Sequence, residues 1–159
     1  MMDTLKALED SGFSTWLKGS PSIWAYPTVL TLHTVGLGVL VGANWVLDLR
    51  LLGVARSIPL AALAKLFRVM WIGFWINAVS GALLFAADAT TKGSTWLFMV
   101  KLALVGVGVI VIVLTRRSVY GQGIETPRVN TSAKLLAATS IIVWIAAIAA
   151  GRYMAYLTI

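Results

Sequence analysis

The sequence contains no cysteine, one histidine and few charged residues. Without cysteine, the chain cannot form a disulfide, a thiolate metal site or a cysteine nucleophile. Charged residues make up 12% of the 159 positions, against roughly 25% in a soluble domain. Hydrophobic residues make up 59%. A soluble domain of this length could not bury so much apolar surface, so we expect lipid to cover part of it.

The few charges leave long uncharged runs between them. No charged side chain occurs between Lys18 and Asp48, and about 20 apolar residues suffice to cross the hydrocarbon core of a bilayer. Trp24 and Trp45 lie near the two ends of this run, as interfacial aromatic residues do. The pattern predicts an all-α, polytopic membrane protein, a single domain over 1–159. Its four transmembrane helices are predicted at about 23–47, 58–87, 94–115 and 133–157.

The first 20 residues predict an interfacial amphipathic helix, over about 3–18. The segment carries acidic residues and lacks the continuous apolar core of a cleavable signal peptide. At helical spacing, its apolar side chains fall near one face and its charged ones elsewhere. The apolar face consists of Leu5, Leu8, Phe13, Trp16 and Leu17. Gly12 is a possible break in this helix.

Basic residues predict the orientation. The net charge is +7, and the cations flank the apolar runs, so we expect contacts with the lipid bilayer and its anionic headgroups and no nucleic-acid binding. One side of the predicted bundle carries Arg50, Arg56, Lys65, Arg68, Arg116, Arg117, Arg128 and Lys134. The other carries Lys6, Lys18, Lys92 and Arg152, with Lys101 nearby. The positive-inside rule then predicts a bacterial cytoplasmic (inner) membrane protein with both termini on the periplasmic side.

Four polar side chains within the predicted helices are candidate functional residues: His33, Asn77, Lys101 and Arg152. Ionisable groups are expensive inside a membrane and often mark functional sites. His33 is predicted about 16 Å and Lys101 about 10 Å from the outer helix ends, which brings them towards one layer. Structural alternatives remain open: a hydrogen-bonded histidine, basic side chains that reach the interface, and an interhelical bond from Asn77.

Small residues predict close contacts between helices. Gly36, Gly38 and Gly42 lie on the first helix, and an alanine-rich stretch ending in Gly151 lies on the fourth. Such positions allow helices to approach within a bundle or a homodimer, or leave room for a flat cofactor. A single histidine cannot supply a bis-histidine haem site in one chain. Met99 and Met154 are the candidate second ligands, with ordinary apolar packing as the alternative.

The segment YPTVLTLHTVGLGVLVGANWVLDLRLLG resembles the opening of a bacterial four-helix integral-membrane family of unknown function. The resemblance covers nearly the whole chain, including the closing Trp144, Gly151, Arg152 and Tyr153. More distantly, the chain is similar to the copper-resistance D membrane domain and to HemJ-type protoporphyrinogen oxidase. The positions that carry this similarity are His33, Arg50, Arg68, Gly81, Trp96, Lys101 and Leu102. The resemblance to HemJ-type proteins implies haem b bound through histidine, but this chain has no second histidine. It also has no Met-rich or His-rich run of the kind that copper handling would require.

Three hypotheses follow. The first is a haem b or porphyrin-binding module with an electron-transfer role, or in an enzymatic form a porphyrinogen oxidase. His33 would then be the metal ligand, with Asn77 close to it. Lys101 and Arg152 would pair with the haem propionates, and Gly36 and Gly38 would leave room for the ring. The second is a non-catalytic accessory or anchoring subunit of a larger membrane complex. The third is a copper or small-ion permease, with His33 and Lys101 along the path.

Overall fold

The structure is a computed structural model of the chain, and it describes residues 2–12, 14, 16, 24–93 and 95–157. This part of the chain is helical and contains no strand. The helices with defined bounds are α1 (Met2–Glu9), α2 (Ala25–Leu51), α3 (Leu60–Leu63), α4 (Leu66–Ala87), α5 (Ala89–Gly93), α6 (Trp96–Tyr120) and α7 (Thr131–Leu157).

Four helical segments are long and apolar enough to cross a membrane: Ala25–Leu51, Leu60–Ala87, Trp96–Tyr120 and Thr131–Met154. At about 1.5 Å per residue, each exceeds the roughly 30 Å of a hydrocarbon core. Large apolar side chains on their outer faces are exposed in the isolated chain; Ile142 and Trp75, for example, are 67% and 62% exposed. The predicted all-α membrane fold with four spanning helices is confirmed.

The four long helices form two closely packed pairs. α2 lies along α4, α6 lies along α7, and α2 also contacts α7. Aromatic side chains join α4 to α6: Phe85 stacks on Phe98 at 4.7 Å, and Phe67 meets Tyr120 edge to face at 5.7 Å. We call the end of the bundle that carries α1 and α5 the α5 end, and the opposite end, which carries α3, the α3 end.

The buried face of α2 shows why the sequence forms this bundle. Its buried residues include Gly36, Leu40, Asn44, Leu47 and Leu51, spaced three or four apart. That spacing places them on one side of a helix. The core that they enter is apolar and centres on Leu40, Met70 and the fully buried Trp144.

Several helix boundaries differ from the predicted ranges; the second helix, for example, begins at Leu60 and the fourth at Thr131, against predicted starts at 58 and 133. α2 continues to Leu51, beyond the predicted 47, and α6 continues to Tyr120, beyond 115. Both extensions carry polar side chains that the prediction placed outside the membrane helices, although a helix that satisfies its own backbone can continue past them. The predicted second helix is interrupted between α3 and α4, where Ala64 and Phe67 make only three-residue backbone bonds. The predicted starts at Ile23 and Ser94 lie outside the described residues.

The N-terminal segment packs on the α5 end. α1 ends at Glu9, the chain turns at Asp10, and residues 12, 14 and 16 are helical again, so the break precedes Gly12. The Ser14 hydroxyl is buried and donates to the Ala86 carbonyl at 2.9 Å, and a Glu9 carboxylate oxygen accepts the Thr90 N–H at 3.0 Å. Residues 13, 15 and 17–20 of the predicted helix lie outside the described part.

Candidate functional site

His33 and Asn77 meet between α2 and α4, towards the α5 end. His33 Nδ1 lies 2.9 Å from the backbone oxygen of Asn77 and 3.3 Å from the Ser80 hydroxyl. The Asn77 amide nitrogen donates to the His33 backbone oxygen at 2.8 Å. The two side chains therefore join α2 to α4 through reciprocal bonds, in the layer where the sequence predicted them.

The contact with Asn77 determines which ring nitrogen carries the proton in the neutral imidazole. A carbonyl oxygen only accepts, so Nδ1 must donate the hydrogen across the 2.9 Å contact. Nε2 then keeps its lone pair, and the Asn77 amide nitrogen approaches it only at 3.4 Å. A histidine whose other nitrogen donates to a backbone carbonyl is the usual form of a histidine metal ligand.

Gly81 makes room for the imidazole. A Cβ atom at position 81 would lie 2.9 Å from His33 Cε1 and 3.2 Å from Nδ1. Cβ contacts below 3.0 Å essentially do not occur, so the ring can occupy this position only because residue 81 is glycine.

Lys101 extends across α7 at the same end of the bundle. A Cβ atom at Gly151 would lie 3.5 Å from both Cε and Nζ of Lys101, so the lysine stem runs across the glycine. Lys101 is the sixth residue of α6 and His33 the ninth of α2, and both lie towards the α5 end of the bundle. Within the described part of the chain, Lys101 makes no ion pair or hydrogen bond. Lys92, by contrast, pairs with Asp88 at 3.0 Å.

The other predicted site residues lie elsewhere. Gly36 is buried against α4, where an added Cβ would lie 2.7 Å from the Asn77 backbone nitrogen. Gly38 is exposed, and an added Cβ would have no neighbour within 4 Å. Arg152 is exposed and lies over the Tyr156 ring at 5.8 Å. Met99 is 60% exposed. The structure therefore brings His33 and Asn77 into contact, with Lys101 towards the same end of the bundle, and it does not bring Gly38 or Arg152 to them.

The positions on which the sequence analysis based the distant resemblance lie in different parts of the structure. Arg50 lies at the α3 end, where its guanidinium donates to the backbone oxygens of Ile58 at 2.7 Å and Arg56 at 2.9 Å and so closes the loop between α2 and α3. Trp96 and Leu102 are 69% and 50% exposed. Of these positions, His33 and Gly81 are in contact, and Lys101 lies towards the same end of the bundle.

A second polar cluster lies in the core, and the sequence interpretation missed it. Asn44, Asp48 and Ser140 are 2%, 1% and 1% exposed. The Asn44 amide nitrogen donates to Asp48 Oδ2 and to Ser140 Oγ, each at 2.6 Å. The prediction ended the first helix at Leu47 and so treated Asp48 as a flanking residue. The available signal was its spacing, because Asp48 follows Asn44 by one turn on the buried face.

Three comparisons place the chain among known proteins. A family model described as a family of unknown function (DUF6644) matches residues 17–157. A search of curated proteins and a search of solved structures found no match. The family model therefore covers nearly the whole chain, and because the family has no known function, the function has to be argued from the side chains.

Proposed function

This chain belongs to DUF6644, a family of unknown function, and we propose that it binds haem b or a related porphyrin at its α5 end, with a role in electron transfer. The observation that carries the proposal is the orientation of His33. Its Nδ1 donates to the Asn77 backbone oxygen at 2.9 Å and leaves the Nε2 lone pair for a metal. The half-buried Lys101 ammonium is the second support: it lies towards the same end of the bundle and has no ion pair or hydrogen bond within the described residues.

Two residues of this chain fit a haem on chemical grounds. His33 would supply an axial nitrogen ligand, which is the common histidine role in haem proteins. Lys101 would pair with a propionate, because a cation inside a membrane is stabilised by an opposite charge. When bound, haem iron supplies one-electron chemistry by cycling between the ferric and ferrous states.

The other residues predicted for this site do not fit that role. Gly36 is closed by α4, Gly38 is exposed where an added Cβ would meet nothing within 4 Å, and Arg152 contacts Tyr156. The proposal therefore rests on His33 and Lys101, with Asn77 as the residue that orients His33. The distant resemblance of the sequence to HemJ-type and copper-resistance D proteins is part of this proposal, because it rests on the same histidine and lysine.

We further propose that the chain lies in a bacterial cytoplasmic membrane with the α5 end on the periplasmic side. The α3 end carries seven exposed cations. They are Arg56, Lys65, Arg68, Arg116, Arg117, Arg128 and Lys134. Such an excess of lysine and arginine favours the cytoplasmic side. Electron transfer at His33 would then occur near the periplasmic surface.

A second candidate function is a non-catalytic accessory or anchoring subunit. The observation in its favour is that His33, Asn77 and Ser80 already bond to one another across α2 and α4, which is the usual use of polar groups between membrane helices. Gly38 and Gly42 leave a small-residue surface on α2 on which another membrane helix could pack.

Absorption spectroscopy tests the haem proposal. The protein is purified in mild detergent, its reduced-minus-oxidised spectrum is recorded, and the pigment-free fraction is titrated with haem. We expect a haem b spectrum or a saturable change on titration, and its loss in His33→Ala. Lys101→Met should weaken haem affinity about tenfold, since a charge-assisted bond contributes roughly 1.5 kcal/mol or more.

Arg152→Met is the matched control, because it removes an equal charge from an exposed position and should leave haem affinity unchanged. Helical circular dichroism and gel filtration establish that each variant is folded. A folded wild-type protein that shows no haem spectrum and does not respond to excess haem would refute the proposal. If the native mass of that colourless protein also exceeds one chain, the accessory or homodimeric interpretation gains support.

A further inference from the structure

The Asp48 carboxyl group is buried between the spanning helices, on the α3 side of the Asn44–Ser140 bond. The side chain is 1% exposed. One of its oxygens, Oδ2, accepts a bond from the Asn44 amide nitrogen at 2.6 Å, and the same nitrogen donates to the Ser140 hydroxyl oxygen at 2.6 Å. The other oxygen, Oδ1, is buried and has no hydrogen-bond partner within the described residues. A carboxylate in this position has a hydrogen-bond partner for one of its two oxygens, and burial removes its charge from water.

No basic side chain compensates Asp48. Within residues 24–93 and 95–157, Asp48 makes no ion pair. Arg50, two residues after Asp48, donates to the backbone of the following loop, and Arg116, directly after Thr115, lies 5.7 Å over the Phe67 ring. Lys134, at the start of α7, is exposed. An isolated charge in an apolar interior is strongly unfavourable, so we expect a bound cation to neutralise the negative charge of Asp48.

Other buried polar atoms in the bundle also lack partners within the described residues. Thr115 Oγ1, Trp45 Nε1 and Trp144 Nε1 are inaccessible and make no hydrogen bond in the described part of the chain. Trp45 follows Asn44 directly, and Trp144 lies one turn from Ser140. Unsatisfied buried polar groups are rare in native proteins, and an unseen water or ion is a frequent explanation.

The helix register brings Thr115 to the level of Asp48. Gly108 packs on Trp144, where an added Cβ would lie 2.8 Å from the indole, and Asn44 bonds to Ser140. From the level of Gly108 and Trp144, seven residues of α6 lead to Thr115, about 10 Å towards the α3 end. Four residues of α7 lead to Ser140, at the level of Asn44, and four more of α2 lead to Asp48, about 12 Å in all, so Thr115 and Asp48 lie within about 2 Å of each other along the bundle axis. Thr115 is 1% exposed. The core thus offers carboxylate and hydroxyl oxygens in one layer, which are ligands that hard cations prefer.

We propose that Asp48, with Asn44 bonded to it and Thr115 at its level, binds a monovalent cation in the bundle core. The cation is either a proton or a sodium ion, and each of them neutralises the carboxylate. This site lies towards the α3 end and does not depend on the haem proposal at His33.

The experiment compares the detergent-purified full chain with Asp48→Asn and with the exposed control Asp10→Asn. Thermal unfolding is followed in sodium chloride and in choline chloride at equal ionic strength. Infrared spectra at neutral pH are recorded for the carbonyl stretch of a protonated carboxylic acid. For a sodium site, Na⁺ at ten times its Kd should raise the unfolding midpoint of the wild type by about 3–6 °C. That shift should be absent in Asp48→Asn and retained in Asp10→Asn.

A proton at the site gives the other supporting result. The wild type then shows no preference for sodium over choline, and its infrared spectrum contains a protonated carboxyl band that Asp48→Asn lacks and Asp10→Asn keeps. A wild type with neither sodium dependence nor that band overturns the proposal. If Asp48→Asn fails to fold, Ser140→Ala keeps the carboxyl group. It removes the hydroxyl that shares the Asn44 amide with Asp48, so it should weaken sodium dependence at least severalfold, or shift the carboxyl band.

Discussion

The imidazole of His33 lies directly on Gly81, across the interface between α2 and α4. A Cβ atom at residue 81 would approach His33 Cε1 to 2.9 Å. The ring cannot move far, because its Nδ1 is bonded to the Asn77 backbone oxygen at 2.9 Å. The glycine and the hydrogen bond therefore act together to determine where the histidine lies.

Gly81→Ala should displace His33 and destabilise the bundle. Adding a methyl group to a filled contact typically costs about 1–3 kcal/mol. Unfolding in mixed micelles, titrated with sodium dodecyl sulfate and followed by circular dichroism, measures that loss. Gly106→Ala is the control, because an added Cβ there meets nothing within 4 Å, and we expect no loss or a gain of about 0.5–1 kcal/mol. Equal stability of the two variants would contradict the contact.

Gly36→Ala should separate α2 from α4. Gly36 and Gly73 face each other: a Cβ on Gly36 would lie 2.7 Å from the Asn77 nitrogen, and one on Gly73 would lie 2.7 Å from the Leu40 nitrogen. Both clashes involve backbone, which cannot move aside as a side chain can. We expect a loss of roughly 2–3 kcal/mol in the same unfolding assay. Gly42→Ala, on the exposed face of the same helix, should be neutral.

Asn77→Leu should weaken the pairing of α2 and α4 without adding bulk. The substitution removes the 2.8 Å bond from the amide to the His33 backbone oxygen. Interhelical bonds in membrane proteins average about 0.6 kcal/mol, with a maximum of roughly 1.7 kcal/mol. Thr34→Val is a suitable comparison, since the Thr34 hydroxyl bonds only the Leu30 oxygen of its own helix. If Thr34→Val were as damaging as Asn77→Leu, the amide would not link the helices.

Tyr120→Phe should loosen the α3 end. The Tyr120 hydroxyl is buried and donates to the Leu60 backbone oxygen at 2.7 Å, and so connects the end of α6 to α3. Its removal should cost about 0.5–1.5 kcal/mol and leave the buried carbonyl without this partner. Faster amide exchange in α3 would report the local loss. Tyr153→Phe, at a 65% exposed position, should change neither measurement.

The absence of native cysteine allows a direct test of orientation. Single cysteines at the exposed positions Asp10 and Gln122 mark the α5 end and the α3 end. A membrane-impermeant maleimide applied to spheroplasts should label Asp10→Cys and reach Gln122→Cys only after the membrane is permeabilised. The reverse pattern would invert the orientation, and the His33 site would then lie near the cytoplasm.

Composition and periodicity were sufficient for the fold class, because each spanning helix satisfies its own backbone and reveals itself as a long apolar run. The exact ends were harder to predict. Asp48 and Thr115 were placed at or beyond helix ends since polar residues usually lie there, yet both are buried. A sequence shows the polarity of a residue and its helical face, but not whether a neighbouring helix covers it.

What the sequence determined by itself is the set of membrane helices and the two polar residues, His33 and Lys101, that lie towards one end. Only the tertiary structure decided which partners they have. It placed Asn77 and Gly81 around His33, Gly151 beneath Lys101, and Arg152 on the outside. It also joined Asn44 and Asp48 to Ser140, 96 positions after Asn44 in the chain. The physical reason is that helical periodicity is local, whereas the rotation and register of packed helices depend on contacts between segments far apart in sequence.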